Sequence, residues 1–133
     1  MHGQKVIVLE PRRLAATSAA HRMAKELGQH VGQRVGYRVR LDSKVGPATQ
    51  VEVVTDGLFL RRLLRDPDLA GIGCVIFDEF HERGLDSDIA LAMLLEVKEL
   101  RPELAIVVMS ATLAADSVAG LLGGAPLLRS EGR

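Results

Sequence analysis

Four ionisable residues stand directly after an apolar run in the stretch VIFDEFHERG, residues 75–84: Asp78, Glu79, His81 and Glu82. Charge beside a buried segment is costly unless it is paired, bound to a metal or used in chemistry. Two acids at the end of an apolar strand suit nucleotide hydrolysis, because the first can hold Mg²⁺ through its water shell while the second deprotonates the attacking water. A bare Asp-Glu pair is more often part of a solvated loop, so the functional interpretation depends on the apolar run and on His81.

Polar clusters also follow three other apolar runs. They are Glu10-Pro11-Arg12-Arg13, Thr55-Asp56-Gly57 and Ser110-Ala111-Thr112. In open sheets of parallel strands, ligands bind at the carboxyl ends of the strands. Four strand ends that supply one polar edge are a stronger indication of a site than any single cluster.

The elements that would position these clusters alternate along the chain. Nearly continuous apolar runs predict strands at residues 6–9, 51–55, 74–77 and 105–109, and residues 35–43 are typical of a further strand. Helical spacing of apolar residues predicts helices at residues 12–27, 58–65, 86–100 and 114–122. This alternation indicates βαβ units and a mostly parallel α/β sheet.

Composition restricts the classes of function. Seventeen basic residues balance seventeen acidic ones, so binding to nucleic acid has to come from local patches rather than from net charge. Cys74 is the single cysteine, which favours a reducing, cytoplasmic setting. No apolar stretch approaches the roughly 20 residues that span a bilayer, so no membrane is expected as a partner. Aromatic residues make up only 3%, which favours tracking of a nucleic-acid backbone over base stacking.

Five segments, in order, resemble the motifs of the DEAH-box helicases of superfamily 2. EPRRLAA at 10–16 resembles motif Ia, TDGLFLR at 55–61 motif Ib, DEFH at 78–81 motif II and SAT at 110–112 motif III. GYRVRLDSKVG at 36–46 is similar to the stretch that this family carries between motifs Ia and Ib. Phe80 replaces the usual alanine of the DEAH box and, with DEFHERGLDSD and the terminal SEGR, indicates the bacterial HrpB-type branch. The resemblance implies a three-layer RecA-like (P-loop NTPase) fold.

The resemblance also implies roles around a bound ATP. Asp78 would position Mg²⁺ through water, Glu79 would be the catalytic base, and His81 would contact the nucleotide side or motif III. The residues Ser110, Ala111 and Thr112 would couple the ATP site to strand separation. From the residues alone, His81 also fits a loop histidine, and the Ser-Ala-Thr segment also fits a helix N-cap.

A second set of residues would contact the backbone of a nucleic acid, RNA rather than DNA. The set is Pro11, Arg12, Arg13, Arg38, Thr55, Asp56 and Gly57. Guanidinium groups match phosphate with a planar fork of donors, and a glycine lets a backbone come close. Arg12 and Arg13 also fit a solvated first helical turn, but cations there oppose the helix dipole, which favours an anionic partner. Arg38 and Arg40 would alternate along one strand, where exposure to solvent explains them equally well.

The chain contains no Gly-x-x-x-x-Gly-Lys-Ser/Thr sequence. In the family, that Walker A segment comes just before motif Ia, so residues 1–133 would be a partial helicase ATP-binding domain. The intact protein would add the upstream segment and a second RecA-like domain. We therefore expect the isolated chain to hydrolyse little ATP. We also expect an exposed sheet edge at residues 6–9 and, with it, marginal stability.

These observations lead to three hypotheses about function. The first is a fragment of an ATP-dependent RNA helicase that uses ATP and Mg²⁺. The second is a non-catalytic RecA-like module that binds nucleic acid or protein through its strand-end arginines. The third is a metal-dependent hydrolase built on Asp78, Glu79, His81, Asp86 and Asp88.

Overall fold

A computed structural model describes residues 4–78 and 84–109 of the chain. The strands are β1 (Lys5–Glu10), β2 (Val35–Val39), β3 (Asp42–Lys44), β4 (Val51–Thr55), β5 (Ile72–Phe77) and β6 (Ala105–Val108). The helices are α1 (Arg13–Glu26), α2 (Asp56–Arg65) and α3 (Leu85–Leu100). The helix predicted at residues 114–122 lies outside the described residues. No helix within the described ranges is long and apolar enough to cross a membrane.

The six strands form one sheet in the order β3-β2-β4-β1-β5-β6. All neighbouring strands are parallel except β2 and β3, which form an antiparallel hairpin. The predicted edge at residues 6–9 is wrong, because β1 pairs with β4 on one side and with β5 on the other. Crossover connections allow an early strand to be central, since later strands add on both sides of it. Among the described strands, β3 and β6 form the two edges.

The helices cover both faces of the sheet, as a strand that is apolar on both faces requires. Helix α1 packs its buried alanines against β1, β2 and β4. Helices α2 and α3 pack together against the opposite face, where Ile7, Leu9 and Phe77 contribute to the larger core cluster. Successive side chains of β1 alternate between the two clusters, with Val8 on the α1 face. The result is the three-layer arrangement that the sequence predicts.

Two local details differ from the sequence-based expectation. Helix α2 begins at Asp56 rather than at residue 58, because Thr55 is already its extended N-cap residue. Residues 35–44 form two strands rather than one, joined by a turn at which Leu41 has a positive φ of 67°. Arg40 lies in that turn, so its predicted alternation with Arg38 along one strand is wrong.

The register of the hairpin of β2 and β3 depends on a glycine at position 36. A Cβ atom at this position would clash with the carbonyl oxygen of Lys44 and would lie 2.9 Å from Cγ1 of Val45. Only a glycine allows the chain after β3 to cross so close to β2. The hairpin therefore returns the chain across one face of β2 before β4 begins.

Candidate functional site

The carboxyl ends of four strands line one edge of the sheet. Strands β4, β1, β5 and β6 are adjacent and mutually parallel, so their ends meet at the same edge. Two hydrogen bonds continue the strand pairing past the last strand residues. The N–H of Asp78 donates to the carbonyl of Leu9 at 3.0 Å, and that of Met109 donates to the carbonyl of Phe77 at 2.7 Å. This geometry confirms that the clusters at residues 10–13, 55–57 and 78 share one edge.

Asp78 is the first residue after β5 and is half-buried at this edge. Its carboxylate is an oxygen donor of the kind that Mg²⁺ accepts, and Mg²⁺ is commonly held by one or two carboxylates together with water and substrate phosphates. The position therefore fits the predicted metal role. The other residues predicted at the ATP side, Glu79 and His81, lie outside the described residues. So do Ser110, Ala111 and Thr112.

The arginines of the EPRRLAA segment lie where β1 passes into α1. Arg12 is the exposed N-cap residue with an extended backbone (φ −132°, ψ 149°), and its side chain makes no capping hydrogen bond. Arg13 is the exposed first residue of the helix, and the first turn of α1, which is described in full, holds no acidic residue. The N-terminal N–H groups and the two cations therefore create a positive potential that favours an anion.

The Thr55-Asp56-Gly57 cluster lies where β4 passes into α2. Thr55 is the N-cap residue, and Asp56 is buried in the first helical turn, where a carboxylate interacts favourably with the helix dipole. A Cβ atom at Gly57 would lie 3.0 Å from Oδ2 of Asp86. Asp86 is an exposed residue in the first turn of α3, so it approaches the same helix start that was predicted to bind phosphate. The sequence gives no local indication of this contact.

Arg38 does not join the strand-end arginines. Its Nε donates to Oε1 of Glu52 at 3.0 Å, on the face of the sheet opposite to α1. Glu52 is fully buried and also accepts a hydrogen bond from Nζ of Lys5 at 2.7 Å, while Nη1 of Arg62 lies 3.7 Å from its Oε1. A contact between Arg38 and nucleic acid remains a prediction.

Glu52 was not identified from the sequence, although a lone acid inside the run VEVV is a recognisable signal. Burial by itself raises the pKa of its carboxyl group. The hydrogen bond from Lys5 and the charges of Arg38 and Lys5 outweigh that effect, so the pKa lies below its ordinary value. Glu52 is therefore charged at neutral pH.

The hypothesis of a metal-dependent hydrolase stays untested, because Glu79 and His81, two of its five proposed ligands, lie outside the described residues. Within residues 4–78 and 84–109, no three histidine, cysteine, aspartate or glutamate side chains come together as metal ligands. Asp86, another of its proposed ligands, lies close to Gly57.

Comparison with known proteins decides the family. The family model described as DEAD/DEAH box helicase matches residues 1–120. The chain belongs to this helicase family. A curated relative, the ATP-dependent RNA helicase HrpB of Escherichia coli, is 52% identical over 130 residues, which cover 97% of this chain and 16% of the relative. The DExH-box ATP-dependent RNA helicase DExH1 of Arabidopsis thaliana is 39% identical over 127 residues, which cover 96% of this chain and 13% of the relative.

Solved structures agree with the helicase assignment. A crystal structure of the E. coli DExH-box NTPase HrpB matches with a TM-score of 0.92 and 52% identity, covering 98% of this chain and 16% of that chain. The RecA-like fold and the resemblance to the HrpB-type branch are thereby confirmed. The chain spans about a sixth of the length of this helicase, so the activity of a whole protein does not transfer directly to these residues.

Proposed function

We propose that these residues form part of the first RecA-like domain of an ATP-dependent RNA helicase. The observation that carries the proposal is the position of Asp78 at the end of β5, on the edge formed by four adjacent parallel strands. The relatives reported above are named ATP-dependent RNA helicases, and their likeness extends over nearly the whole chain. ATP and RNA are accordingly the proposed ligands.

In this proposal, the residues at the strand-end edge form two groups, one that acts on ATP and one that binds RNA. Asp78 holds Mg²⁺ through water, Glu79 takes the proton of the attacking water, and His81 links the nucleotide to the Ser110-Ala111-Thr112 segment. When it is bound, Mg²⁺ neutralises charge on the phosphates of ATP. Arg12 and Arg13 hold RNA phosphate at the start of α1, where the exposed guanidinium groups and the helix dipole act together.

The proposal includes parts of the protein that these 133 residues do not contain. The Gly-x-x-x-x-Gly-Lys-Ser/Thr segment is absent from the sequence, so a Walker A segment and a second RecA-like domain would be contributed by the intact helicase. Without a phosphate-binding loop, the Asp78 carboxylate can position a metal ion, but the residues at this edge cannot bind the triphosphate of ATP. The single cysteine, Cys74, suits a protein of the cytoplasm, which is the compartment we propose.

The decisive experiment measures RNA-stimulated ATP hydrolysis by the 133-residue chain and by the intact helicase, each with Glu79→Gln. We expect little turnover by the chain and robust turnover by the intact protein, reduced at least about 100-fold by Glu79→Gln because the general base is lost. Glu96→Gln, an exposed change on α3, is the matched control and should leave turnover unchanged. Robust turnover by the chain alone would contradict the proposed division of the domain. Full activity of the Glu79→Gln helicase would contradict the assigned base.

A second candidate function is a non-catalytic module that binds RNA. The exposed Arg12 and Arg13 at a helix start without an acidic residue favour it. If binding is the whole function, combined Arg12→Ala and Arg13→Ala should abolish RNA binding by the chain, while Glu79→Gln leaves both binding and biological function intact. Loss of biological function with Glu79→Gln would rule out this candidate.

A further inference from the structure

A cavity of about 690 Å³ opens beside α2, on the face of the sheet opposite to α1. Its floor is formed by Arg38 and Glu52, one wall by α2, and the other wall by the hairpin of β2 and β3. We name it the Glu52 pocket. Its volume lies within the range of roughly 300–1,000 Å³ that is typical of small-molecule sites.

Positive charges outnumber negative charges among the residues that line the Glu52 pocket. The residues that line it include the basic residues Lys5, Arg38, Arg62 and Arg65 and the acidic residues Glu52 and Asp42. Four positive charges and two negative charges leave a local excess of two positive charges, although the whole chain has a net charge of zero. An excess of this kind, concentrated in a concave surface, attracts anions.

Several cationic donors in the Glu52 pocket remain available. Arg38 uses only Nε in its contact with Glu52, and 43% of its side chain is exposed. Arg62 lies 3.7 Å from the same carboxylate and is 31% exposed. Arg65 is exposed, and none of the ion pairs found among the described residues includes it. The pocket therefore presents guanidinium groups that reach solvent and are not saturated by carboxylates of the described residues.

The buried Glu52 carboxylate holds these cations together. Its hydrogen bond with Lys5 and its contacts with Arg38 and Arg62 join β1, β2, β4 and α2. Arginine side chains repel one another when they converge without a counter-charge, and Glu52 supplies one counter-charge from the pocket floor. A ligand that enters from the solvent side then meets donors that are already oriented, which lowers the entropic cost of binding.

We propose that the Glu52 pocket binds the terminal phosphate of a small ligand or of a nucleic-acid strand. A phosphate monoester carries about −1.5 to −2 charges at neutral pH, which matches the local excess of two positive charges. Its oxygen atoms accept the paired N–H donors of arginine in bidentate geometry. Apart from Arg38, the residues that line the pocket differ from those proposed to hold ATP or to contact RNA, and the proposal does not depend on helicase activity.

The test is calorimetric titration of the 133-residue chain with inorganic pyrophosphate at physiological ionic strength. Arg65→Gln should weaken binding about tenfold, because it removes one charged hydrogen-bonding group from the pocket. Arg65→Lys should restore part of the loss, since it keeps the charge but not the fork. Arg65 is exposed, so we expect the unfolding midpoint of both variants to match that of the unmodified chain.

Arg61→Gln is the matched control. Arg61 is exposed on the same helix and carries the same charge, but it does not line the pocket. Binding should change by less than about twofold, because exposed charges outside the pocket are screened by salt. Absence of pyrophosphate binding to the unmodified chain, or equal weakening by Arg61→Gln and Arg65→Gln, would overturn the proposal.

Competition then identifies the source of the phosphate. If a short RNA with a 5′-phosphate displaces pyrophosphate and the same RNA with a 5′-hydroxyl does not, the pocket takes the end of a nucleic-acid strand. If neither RNA displaces it, the pocket takes a free phosphate compound. Both results uphold a phosphate site and differ only in the natural ligand.

Discussion

The two faces of the sheet are packed with side chains of very different size. On one face, α1 contributes the buried residues Ala16, Ala19, Ala20 and Ala24. On the other face, the largest buried side chains are those of Phe59, Leu63, Phe77 and Leu94, with further leucine and isoleucine residues around them. Small side chains let α1 lie close to the strands, whereas large ones fill a wider space beneath α2 and α3. The first face should therefore tolerate added volume poorly, and the second should tolerate lost volume poorly.

The largest effect is expected from Phe59→Ala, on the face of large side chains. Phe59 is fully buried, so its truncation should lower the free energy of unfolding by about 3–5 kcal/mol through lost transfer energy and a residual cavity. Urea denaturation followed by circular dichroism measures the change. Leu64→Ala, on the exposed side of the same helix, is the control and should cost less than about 0.5 kcal/mol. Equal effects of the two variants would mean that α2 does not pack as described.

Added side-chain volume tests the α1 face, on which the helix contributes only small buried side chains. Ala20 lies on the buried side of α1, so Ala20→Leu should destabilise the fold by about 1–3 kcal/mol because the helix has to move away from the sheet. Ser18→Leu places the same side chain on the exposed side of α1 and should change the unfolding midpoint little. A stable Ala20→Leu variant would show that this face holds unfilled space, and the contrast between the faces would disappear.

A third change removes the negative charge from the floor of the Glu52 pocket. Glu52→Gln should cost about 1–3 kcal/mol at neutral pH, because three partly exposed cations lose their buried counter-charge. The pKa of Glu52 is lowered from 4.5 by folding, so its stabilising effect is present above the unfolded pKa and is lost as the pH falls through the folded pKa. Unfolding free energies measured from pH 7 downward should converge for the two proteins in acid. Glu96→Gln should show no comparable effect at any pH.

The smallest effect is expected on the α1 face from Tyr37→Phe. The Tyr37 hydroxyl donates to Oδ2 of Asp42 at 2.8 Å, so its removal should cost about 0.5–1.5 kcal/mol. The same hydrogen bond, together with burial, raises the pKa of Tyr37 above 10.0. Its contribution should therefore be complete below pH 10 and should disappear as the pH rises through the folded pKa. A loss of several kcal/mol at pH 7 would mean that the hydroxyl supports more than this one contact.

Local sequence patterns predict the elements of this fold well. The strands of the parallel sheet are nearly continuous apolar runs, which is typical of strands that are covered on both faces. The site edge follows from the same patterns, because the polar residues come directly after those runs. Asp78 is the described example, and Glu79 and His81 remain predictions from the DEFH motif.

Contacts between distant segments could not be predicted in the same way. Lys5 and Glu52 are 47 residues apart, and no local pattern indicates that they meet. The central position of β1 also depends on which strands join it later, and the apolar character of β1 fits an edge or a centre equally well. Arg38 is a further example, because its ion pair with Glu52, 14 residues away, has no local indication in the sequence.

The central position of β1 has a consequence for the order in which the protein folds during synthesis. The strand is made before its partner strands β4 and β5, and the 47-residue separation of Lys5 and Glu52 illustrates the distance along the chain. At about 5–20 residues per second, several seconds pass between the synthesis of β1 and that of β4. Pairings between such distant segments also slow folding after release. The strand at the middle of the finished sheet is thus the one that depends longest on protection from aggregation.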